Sequence, residues 1–311
     1  MSTATPEQTA GPGPDPTSDE RPRAAVVRCE EVRPVVGEGG VRVRPTLGRA
    51  SGFTALEQEI LECPPAARVR EQAADCERTL FVLSGRGWLS AGGSEHSLEP
   101  EVGVLIPPGT EFELRADQGA ALRLVSVRIP DPAPAAPGRA SAAPAPAGPV
   151  VSRLADSEAQ PATARREFRI LADPACGLRS ATHFVGYIPP QRAPDHYHTY
   201  DEVIHVLEGE GAFHCDGRSW PVAGGTCIQL PARTVHCLEN TGGSPMRVVA
   251  VFRPAGSPAA AFYPDGTPAF SAAGEPRGAG ARPGAGGAAA APDREDQAQG
   301  QRTDRGGGVT V

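Results

Sequence analysis

Four side chains in the second half of the chain are of types that commonly bind transition metals. His196, His198 and Glu202 lie in the segment DHYHTYDEVIHVLEGEG, and His236 lies in GTCIQLPARTVHCLEN. Residues two apart on an extended strand face the same side, so the spacing of the first two histidines directs both imidazoles to one face. Imidazole and carboxylate donors suit Fe, Mn, Zn, Ni or Cu. The residue types therefore favour a site for one divalent transition-metal ion.

Strands are the elements that must position these side chains. The segments TLFVLSGRGWLS and EVIHVLEGEGAFHC predict strand pairs with glycine-containing turns, and ALRLVSVRI and MRVVAVFR predict closing strands. The segments VGVLIPPGTEFEL and GTCIQLPARTVHCLEN predict short apolar strands broken by proline turns. TALEQEILE fits a short helix as well as the edge of a strand. The sequence therefore predicts an all-β fold.

The chain follows one plan twice. A shift of 124 positions places Gly85 on Gly209 and Pro107 on Pro231, and it needs no gap. A repeat at one fixed offset over this length indicates internal duplication. We therefore expect two similar β-domains in tandem.

Composition divides the chain into two folded segments. Residues 24–130 and 151–271 are each close to the common size of a domain. Residues 1–23 are polar and rich in proline, and residues 272–311 are rich in glycine, alanine and arginine, so both ends are predicted to be disordered. Residues 131–150 are predicted to form an extended, fairly stiff Pro/Ala linker.

The spacing of the chemical residues resembles that of the cupin family. His-x-His, three residues, Glu, six residues and Gly209 match the first cupin motif. Gly225, five residues, Pro231, and then His236 and Asn240 match the second. The resemblance extends over both folded segments, so the chain is similar to a bicupin. It implies two antiparallel jelly-roll barrels of about six to eight strands each.

The resemblance also implies which residues bind the metal. The implied ligands are His196, His198, Glu202 and His236. The shift of 124 gives the corresponding residues of the first segment, Gln72, Ala74, Arg78 and Phe112. Since none of these is a credible ligand, we expect no metal in the first barrel, which would act as a scaffold. The two barrels are expected to pair within the chain, and a further homodimer is left open.

Loops around the site contain candidate substrate-binding residues. Arg233 stands where the second cupin motif usually has glycine. A fixed guanidinium near an open metal would hold a carboxylate well, so Arg233 is a candidate. Arg192 and Tyr200 are further candidates on neighbouring loops. Glu202 is also the candidate catalytic residue, because its carboxylate could accept a proton.

Three functions remain open on this pattern. The resemblance favours a metal-dependent oxidoreductase of the dioxygenase type that acts on a small, carboxylate-bearing organic molecule. A non-redox enzyme on the same ion would instead be an isomerase, a decarboxylase or a rearrangement enzyme for an amino-acid-like substrate. A ligand-binding cupin without catalysis is the third. Whether turnover needs dioxygen discriminates between the first two.

Composition excludes several other classes. All thirty basic residues are arginine, so no lysine is present to form a Schiff base or to serve a P-loop. The net charge of −7 argues against nucleic acid as a partner. Seven cysteines without a Cys-x-x-Cys pair fit reduced thiols. Without an apolar segment that could serve as a signal peptide or a membrane span, a soluble cytoplasmic protein is expected.

Overall fold

The regular structure of the chain is almost entirely β. The computed structural model describes residues 23–73, 76–130 and 146–269. The predicted disordered ends and most of the predicted linker lie outside these ranges. Within them the strands are accompanied by short 3-10 helices, which confirms the predicted fold class, and the ambiguous TALEQEILE forms a strand. No helix in these ranges is long and apolar enough to cross a membrane.

The elements follow one another in the same order in both halves of the chain. The first half contains the strands β1 Ala25–Arg28, β2 Val35–Val36, β3 Arg42–Leu47, β4 Glu57–Cys63, β5 Arg68–Gln72, β6 Glu77–Ser84, β7 Gly87–Ala91, β8 Ser94–Leu98, β9 Val102–Ile106, β10 Glu111–Ala116 and β11 Leu122–Ile129. The second half contains β12 Val150–Arg153, β13 Gln160–Pro161, β14 Glu167–Ala172, β15 Thr182–Ile188, β16 Asp201–Glu208, β17 Glu210–Cys215, β18 Arg218–Ala223, β19 Thr226–Leu230, β20 His236–Asn240 and β21 Met246–Arg253. The 3-10 helices are Cys29–Glu31, Glu38–Gly40, Arg49–Ser51, Leu154–Asp156 and Thr163–Arg165.

Each half forms an antiparallel barrel made of one large and one small sheet. In the first barrel the large sheet has the strand order β12-β9-β6-β11-β4-β3-β2, and the small sheet has the order β5-β10-β7-β8. In the second barrel the orders are β1-β19-β16-β21-β15-β14-β13 and β18-β17-β20. The predicted pair of tandem β-barrels is therefore present.

The two large sheets exchange their outermost strands. β1, from the first half, pairs with β19 of the second barrel, and Ala25 lies opposite Gln229. β12, from the second half, pairs with β9 of the first barrel, and Val150 lies opposite Leu105. The boundaries proposed from composition divide the chain in sequence, whereas each large sheet includes one strand from the other segment.

Apolar side chains form three clusters. The first fills the first barrel and includes Leu80 and Val82 of β6, and the second fills the second barrel and includes Ile204 of β16. The third contains residues of both large sheets, such as Phe81 and Val203. Because successive side chains of a strand face opposite sides, these strands bury both faces, which explains why they are apolar almost throughout.

The two barrels match each other at two different shifts. β6, β9 and β11 match β16, β19 and β21 at a shift of 124 residues, but β1 to β4 match β12 to β15 at a shift of 125. The first barrel therefore has one additional residue between β4 and β6. The gapless shift predicted from the sequence is wrong for this part, because the glycines and prolines that define it all follow the additional residue.

Glu77 joins the two barrels through a buried carboxylate. It accepts hydrogen bonds from the backbone N–H groups of Arg179 at 2.6 Å and Ser180 at 3.1 Å, and from the Ser180 hydroxyl. Only 3% of Glu77 is exposed. A buried carboxylate is stable only with such donors, so this contact ties the start of β6 to the loop before β15.

We predict that Glu77→Ala lowers the free energy of unfolding by about 3 kcal/mol, because two backbone donors lose their partner in a buried place. Glu99→Ala is the matched control. It removes a half-exposed ion pair with Arg153 and should cost less than about 1 kcal/mol. Urea denaturation followed by circular dichroism measures both variants. Equal losses would show that the Glu77 contacts do not hold the barrels together.

Candidate metal centre

Three histidines converge in the second barrel. One ligand nitrogen from each of His196, His198 and His236 lies within 4.8 Å of the other two. The first two lie on an extended segment before β16, and the third begins β20. Backbone N–H groups of His196 and His236 donate to each other's carbonyls at 3.0 and 2.8 Å. The strand predicted at His196 is reduced to two isolated bridges, this one and that of Tyr197 with Phe262, but its extended backbone still directs His196 and His198 to one side.

A backbone carbonyl fixes the orientation of each imidazole. Each Nδ1 lies 2.9 Å from a carbonyl oxygen, and the carbonyls for His196, His198 and His236 belong to Pro194, Ala260 and Thr234 in that order. Because a carbonyl oxygen only accepts hydrogen bonds, Nδ1 carries the proton and Nε2 keeps its lone pair. This second hydrogen bond is typical of metal-binding histidines, since it fixes the tautomer and the ring orientation.

Burial keeps the three imidazoles neutral. It lowers the pKa of His196 to about 3 and the pKa of His198 to about 4, and it lowers the pKa of His236 well below its usual value. The positive charge of Arg166 adds to all three shifts. A metal ligand must be unprotonated, so these side chains are ready to bind a cation at neutral pH.

Glu202 lies in the same cavity but outside the close group of three nitrogens. It is on β16, opposite Leu230 and Phe252, and 4% of it is exposed. Burial raises the pKa of its carboxyl to about 8, and the positive charge of Arg166 opposes this shift. The roles of Glu202 as fourth ligand and as catalytic carboxylate stay predictions.

The histidines line a cavity of about 90 Å³. Since one water molecule needs roughly 10–15 Å³, the cavity has room for a molecule of about six to nine non-hydrogen atoms. The rest of its wall is mainly apolar and includes Phe168, Phe184, Ile188, Ile204, Leu238 and Val248. The segment that follows β21 contributes Pro258 and Ala261 to the wall. Such a site suits a small molecule with an apolar part.

One of the three side chains predicted to contact a substrate lines this cavity. The ring of Tyr200 is buried and stacks on the imidazole of His198, with centroids 4.6 Å apart. Arg192 and Arg233 are exposed and are not part of the cavity wall, and Arg192 instead lies 3.6 Å from Asp195. Their role in substrate binding stays a prediction that no contact in the cavity supports.

Arg166 lines the cavity, although nothing in the sequence analysis predicts it. It directly precedes β14, and its Nη2 donates to the carbonyl of Leu238 at 2.8 Å. Arg166 is thirty residues before His196 and precedes a strand that neither motif includes, so motif spacing carries no information about it. The only signal in the sequence is weak, namely an arginine directly before the strand segment EFRILA.

In the first barrel the residues that correspond to His196 and His198 differ from those that the gapless shift predicts. The bridge between His196 and His236 corresponds to the pairing of Glu71 with Phe112 on β10. The additional residue before β6 moves each counterpart by one position. The counterpart of His196 is therefore Glu71 and not Gln72. The counterpart of His198 is Ala73 and not Ala74, which lies outside the described residues.

An ion pair replaces the ligands in the first barrel. Arg78 matches Glu202 and is 2% exposed. Its guanidinium donates to the carboxylate of Glu71, to that of Glu59 at 2.8 Å and to the hydroxyl of Ser126 at 2.8 Å. It also lies 5.6 Å from the ring centroid of Phe112. A guanidinium with an acceptor for each of its three nitrogens thus occupies this position, and the scaffold role of the first barrel stays a prediction.

Comparison with known proteins finds a family match for the second barrel. Residues 183–252, which include all three histidines, match the cupin domain family. A gentisate 1,2-dioxygenase from Ralstonia sp. is 34% identical over 91 residues, which are 27% of this chain and 26% of that protein. The chain spans less than half the length of the curated relatives that it matches.

Solved structures resemble both barrels together. A putative glyoxylate-induced protein from Pseudomonas aeruginosa has a TM-score of 0.62 at 20% identity, over 78% of this chain and 93% of that one. A variant of oxalate decarboxylase from Bacillus subtilis has a TM-score of 0.58 at 12% identity, over 73% of this chain and 76% of that one. At such identities the likeness concerns the fold. Residues 183–252 therefore match a cupin domain, and the two barrels together share the fold of these solved structures.

We predict that His236→Ala loses the metal that the wild-type protein binds, because it removes one of the three imidazoles that converge on the cavity. His214→Ala is the matched control, since His214 is half-buried and bonds to Glu239 instead of facing the cavity. Mass spectrometry of metal content measures both variants, and circular dichroism checks that they fold. A His236→Ala protein that stays fully loaded would contradict the site.

We predict that Arg233→Gly raises the free energy of unfolding by up to about 1 kcal/mol. Arg233 has a φ of +65°, a left-handed conformation that glycine adopts without steric cost. Arg192→Gly, at an exposed position without a positive φ, should bring no such gain. Thermal unfolding compares the variants. A destabilised Arg233→Gly protein would show that contacts of the arginine outweigh the strain of its backbone.

Proposed function

We propose that this protein is a mononuclear metal-dependent enzyme that acts on a small organic anion, and that its reaction is an oxidation by dioxygen. The observation that carries the proposal is the convergence of three imidazole nitrogens on one buried cavity. Each Nδ1 is already bonded to a backbone carbonyl, so each Nε2 is free for a ligand bond. Neutral imidazoles of this kind suit a divalent transition metal.

The residues of the cavity have separable tasks in this proposal. The three histidines hold the ion, which supplies Lewis-acid and redox chemistry when bound. Tyr200 keeps the ring of His198 in place by stacking on one face. The apolar wall excludes water and so protects a reactive substrate from side reactions. Glu202 holds a proton or completes the ligand set, since its carboxyl is buried within the same wall.

Oxidation is favoured by the relative with a named activity, a gentisate 1,2-dioxygenase, which matches this chain over the 91 residues given above. A dioxygenase transfers both atoms of dioxygen to its substrate, so the reaction needs no external reductant. The proposal for this chain is limited to that class of reaction and to a substrate small enough for the cavity.

A non-redox reaction on the same site is the second candidate. It is supported by the likeness of the fold to oxalate decarboxylase from Bacillus subtilis. Here the metal would act as a Lewis acid on a carboxylate or carbonyl, and the product would arise by decarboxylation, isomerisation or rearrangement. A binding protein without catalysis is the third candidate.

We predict that the iron(II)-loaded protein consumes dioxygen when a member of a panel of small carboxylates and hydroxy acids is added. An oxygen electrode measures the rate, and mass spectrometry of the product made under labelled dioxygen tests for two labelled atoms. His236→Ala should abolish consumption and His214→Ala should retain it. Turnover that continues without dioxygen would contradict the oxidation and support the second candidate, whereas binding without turnover would favour the third.

A further inference from the structure

Arg166 has an unsatisfied donor at the wall of the cavity. Its Nη2 donates to the Leu238 carbonyl at 2.8 Å, but its Nε is shielded from solvent and has no hydrogen-bond partner. Among the described residues no carboxylate forms an ion pair with Arg166. A buried donor without a partner is costly, and a bound ligand is one of the few explanations for keeping it.

The balance of charge around Arg166 favours an anion. Its neighbours with electrostatic influence are Cys237, Glu202 and Tyr200, of which only Glu202 is an ordinary acid. Arg166 also influences the pKa of all three histidines, so it is close to the proposed metal position. The exposed Glu167 also lines the cavity. With a divalent ion in place, two carboxylates cannot neutralise the ion and the guanidinium together. The remaining positive charge in a site of low dielectric attracts a negatively charged ligand.

The geometry of a guanidinium narrows the kind of anion. Its planar fork of N–H groups matches a carboxylate, which accepts two parallel hydrogen bonds. The free Nε is one arm of such a fork. A carboxylate bound there can lie beside the metal, as a substrate must do for the proposed reaction.

The remaining wall limits the rest of the ligand. It consists mainly of apolar side chains such as Phe168, Phe184 and Val248. A second carboxylate against this wall would lose its hydration and find only neutral hydroxyl groups, such as that of Thr163, whose Oγ1 has no other hydrogen-bond partner, so its burial is unfavourable. A short hydrocarbon group would instead be stabilised there, within the cavity volume of about 90 Å³.

We propose that Arg166 binds the carboxylate of the substrate and that the substrate is a small monocarboxylate with an apolar body. The inference rests on the proposed function, because it names the class of compound that enters the same cavity. In this proposal Arg166, which lines the cavity, selects substrates with a carboxylate. The exposed Arg192 and Arg233 do not take part in this selection.

The test compares three probes on the metal-loaded protein by isothermal titration calorimetry. Butanoate has the proposed chemistry, butanamide has the same shape without charge, and butanedioate carries a second carboxylate. We expect butanoate to bind at least about tenfold more tightly than either of the others. Arg166→Met should weaken the binding of butanoate by about 10- to 100-fold, the usual effect of losing a charged hydrogen bond.

Arg165→Met is the matched control. Arg165 is the adjacent arginine, it is exposed, and its Nη2 donates to the side chain of Gln191 and not into the cavity. The control should bind butanoate with an affinity within about twofold of the wild type, and Arg166→Met should keep its full metal content, because Arg166 is not a ligand. Arg166→Lys, which keeps the charge but not the fork, should lie between the two in affinity.

The outcomes separate this inference from the proposed function. A wild-type protein that binds no metal would contradict the proposed function. A metal-loaded protein that binds butanoate no better than butanamide, or not at all, would overturn the inference and leave the metal centre intact. The comparison of the three probes on the wild-type protein needs no variant, so it tests the proposed substrate class even if Arg166→Met does not fold. An unchanged affinity in a folded Arg166→Met protein would overturn it as well.

Discussion

The backbone bridge between His196 and His236 is the constraint on which the metal centre depends. The two residues are far apart in sequence, and a reciprocal pair of N–H···O bonds holds them opposite each other. These bonds involve only the main chain, so they do not depend on which side chains are present. The first barrel accordingly makes the same pairing with Glu71 and Phe112 and uses it for an ion pair with Arg78. The framework of the barrel therefore fixes the positions, and the side chains decide the chemistry.

The orientation of the ligands comes from two different ranges of the chain. The carbonyls that hold His196 and His236 belong to residues two positions earlier, so each is part of its own turn. The carbonyl that holds His198 belongs to Ala260, beyond the last strand of the barrel. That segment is fixed by a second bridge, in which Tyr197 and Phe262 exchange backbone hydrogen bonds of 2.8 and 3.0 Å. The segment after β21 is thus part of the candidate metal centre, although no motif includes it.

The sequence predicts those features that depend on local patterns. The alternation of strand side chains predicts that His196 and His198 share a face, and apolar runs with glycine and proline turns predict the strands. The exchange of β1 and β12 could not be predicted, because the sequence of an apolar edge strand does not indicate which sheet it will join. Arg166 could not be predicted either, because a single arginine acquires its role only when the second barrel closes around it. The separation of Glu202 from the three nitrogens likewise depends on tertiary packing on β16.

The first barrel lacks the three histidines of the second, but the second barrel still depends on it. β19 lies between β16, which carries Glu202, and β1, which comes from the first half of the chain. The cluster shared by the two large sheets contains buried side chains from both, including Phe81 and Val127 of the first and Val203 and Val251 of the second. Exposing four such side chains, at about 2 kcal/mol each, would cost roughly 8 kcal/mol, which is comparable to the whole stability of a typical domain. The outer face of the large sheet of the second barrel is therefore stable only when apolar side chains pack against it. The outer face of the first barrel supplies these side chains, and the interior of the first barrel takes no part in this contact. An ion pair around Arg78 can therefore occupy that interior without loss of support for the candidate metal site of the other barrel.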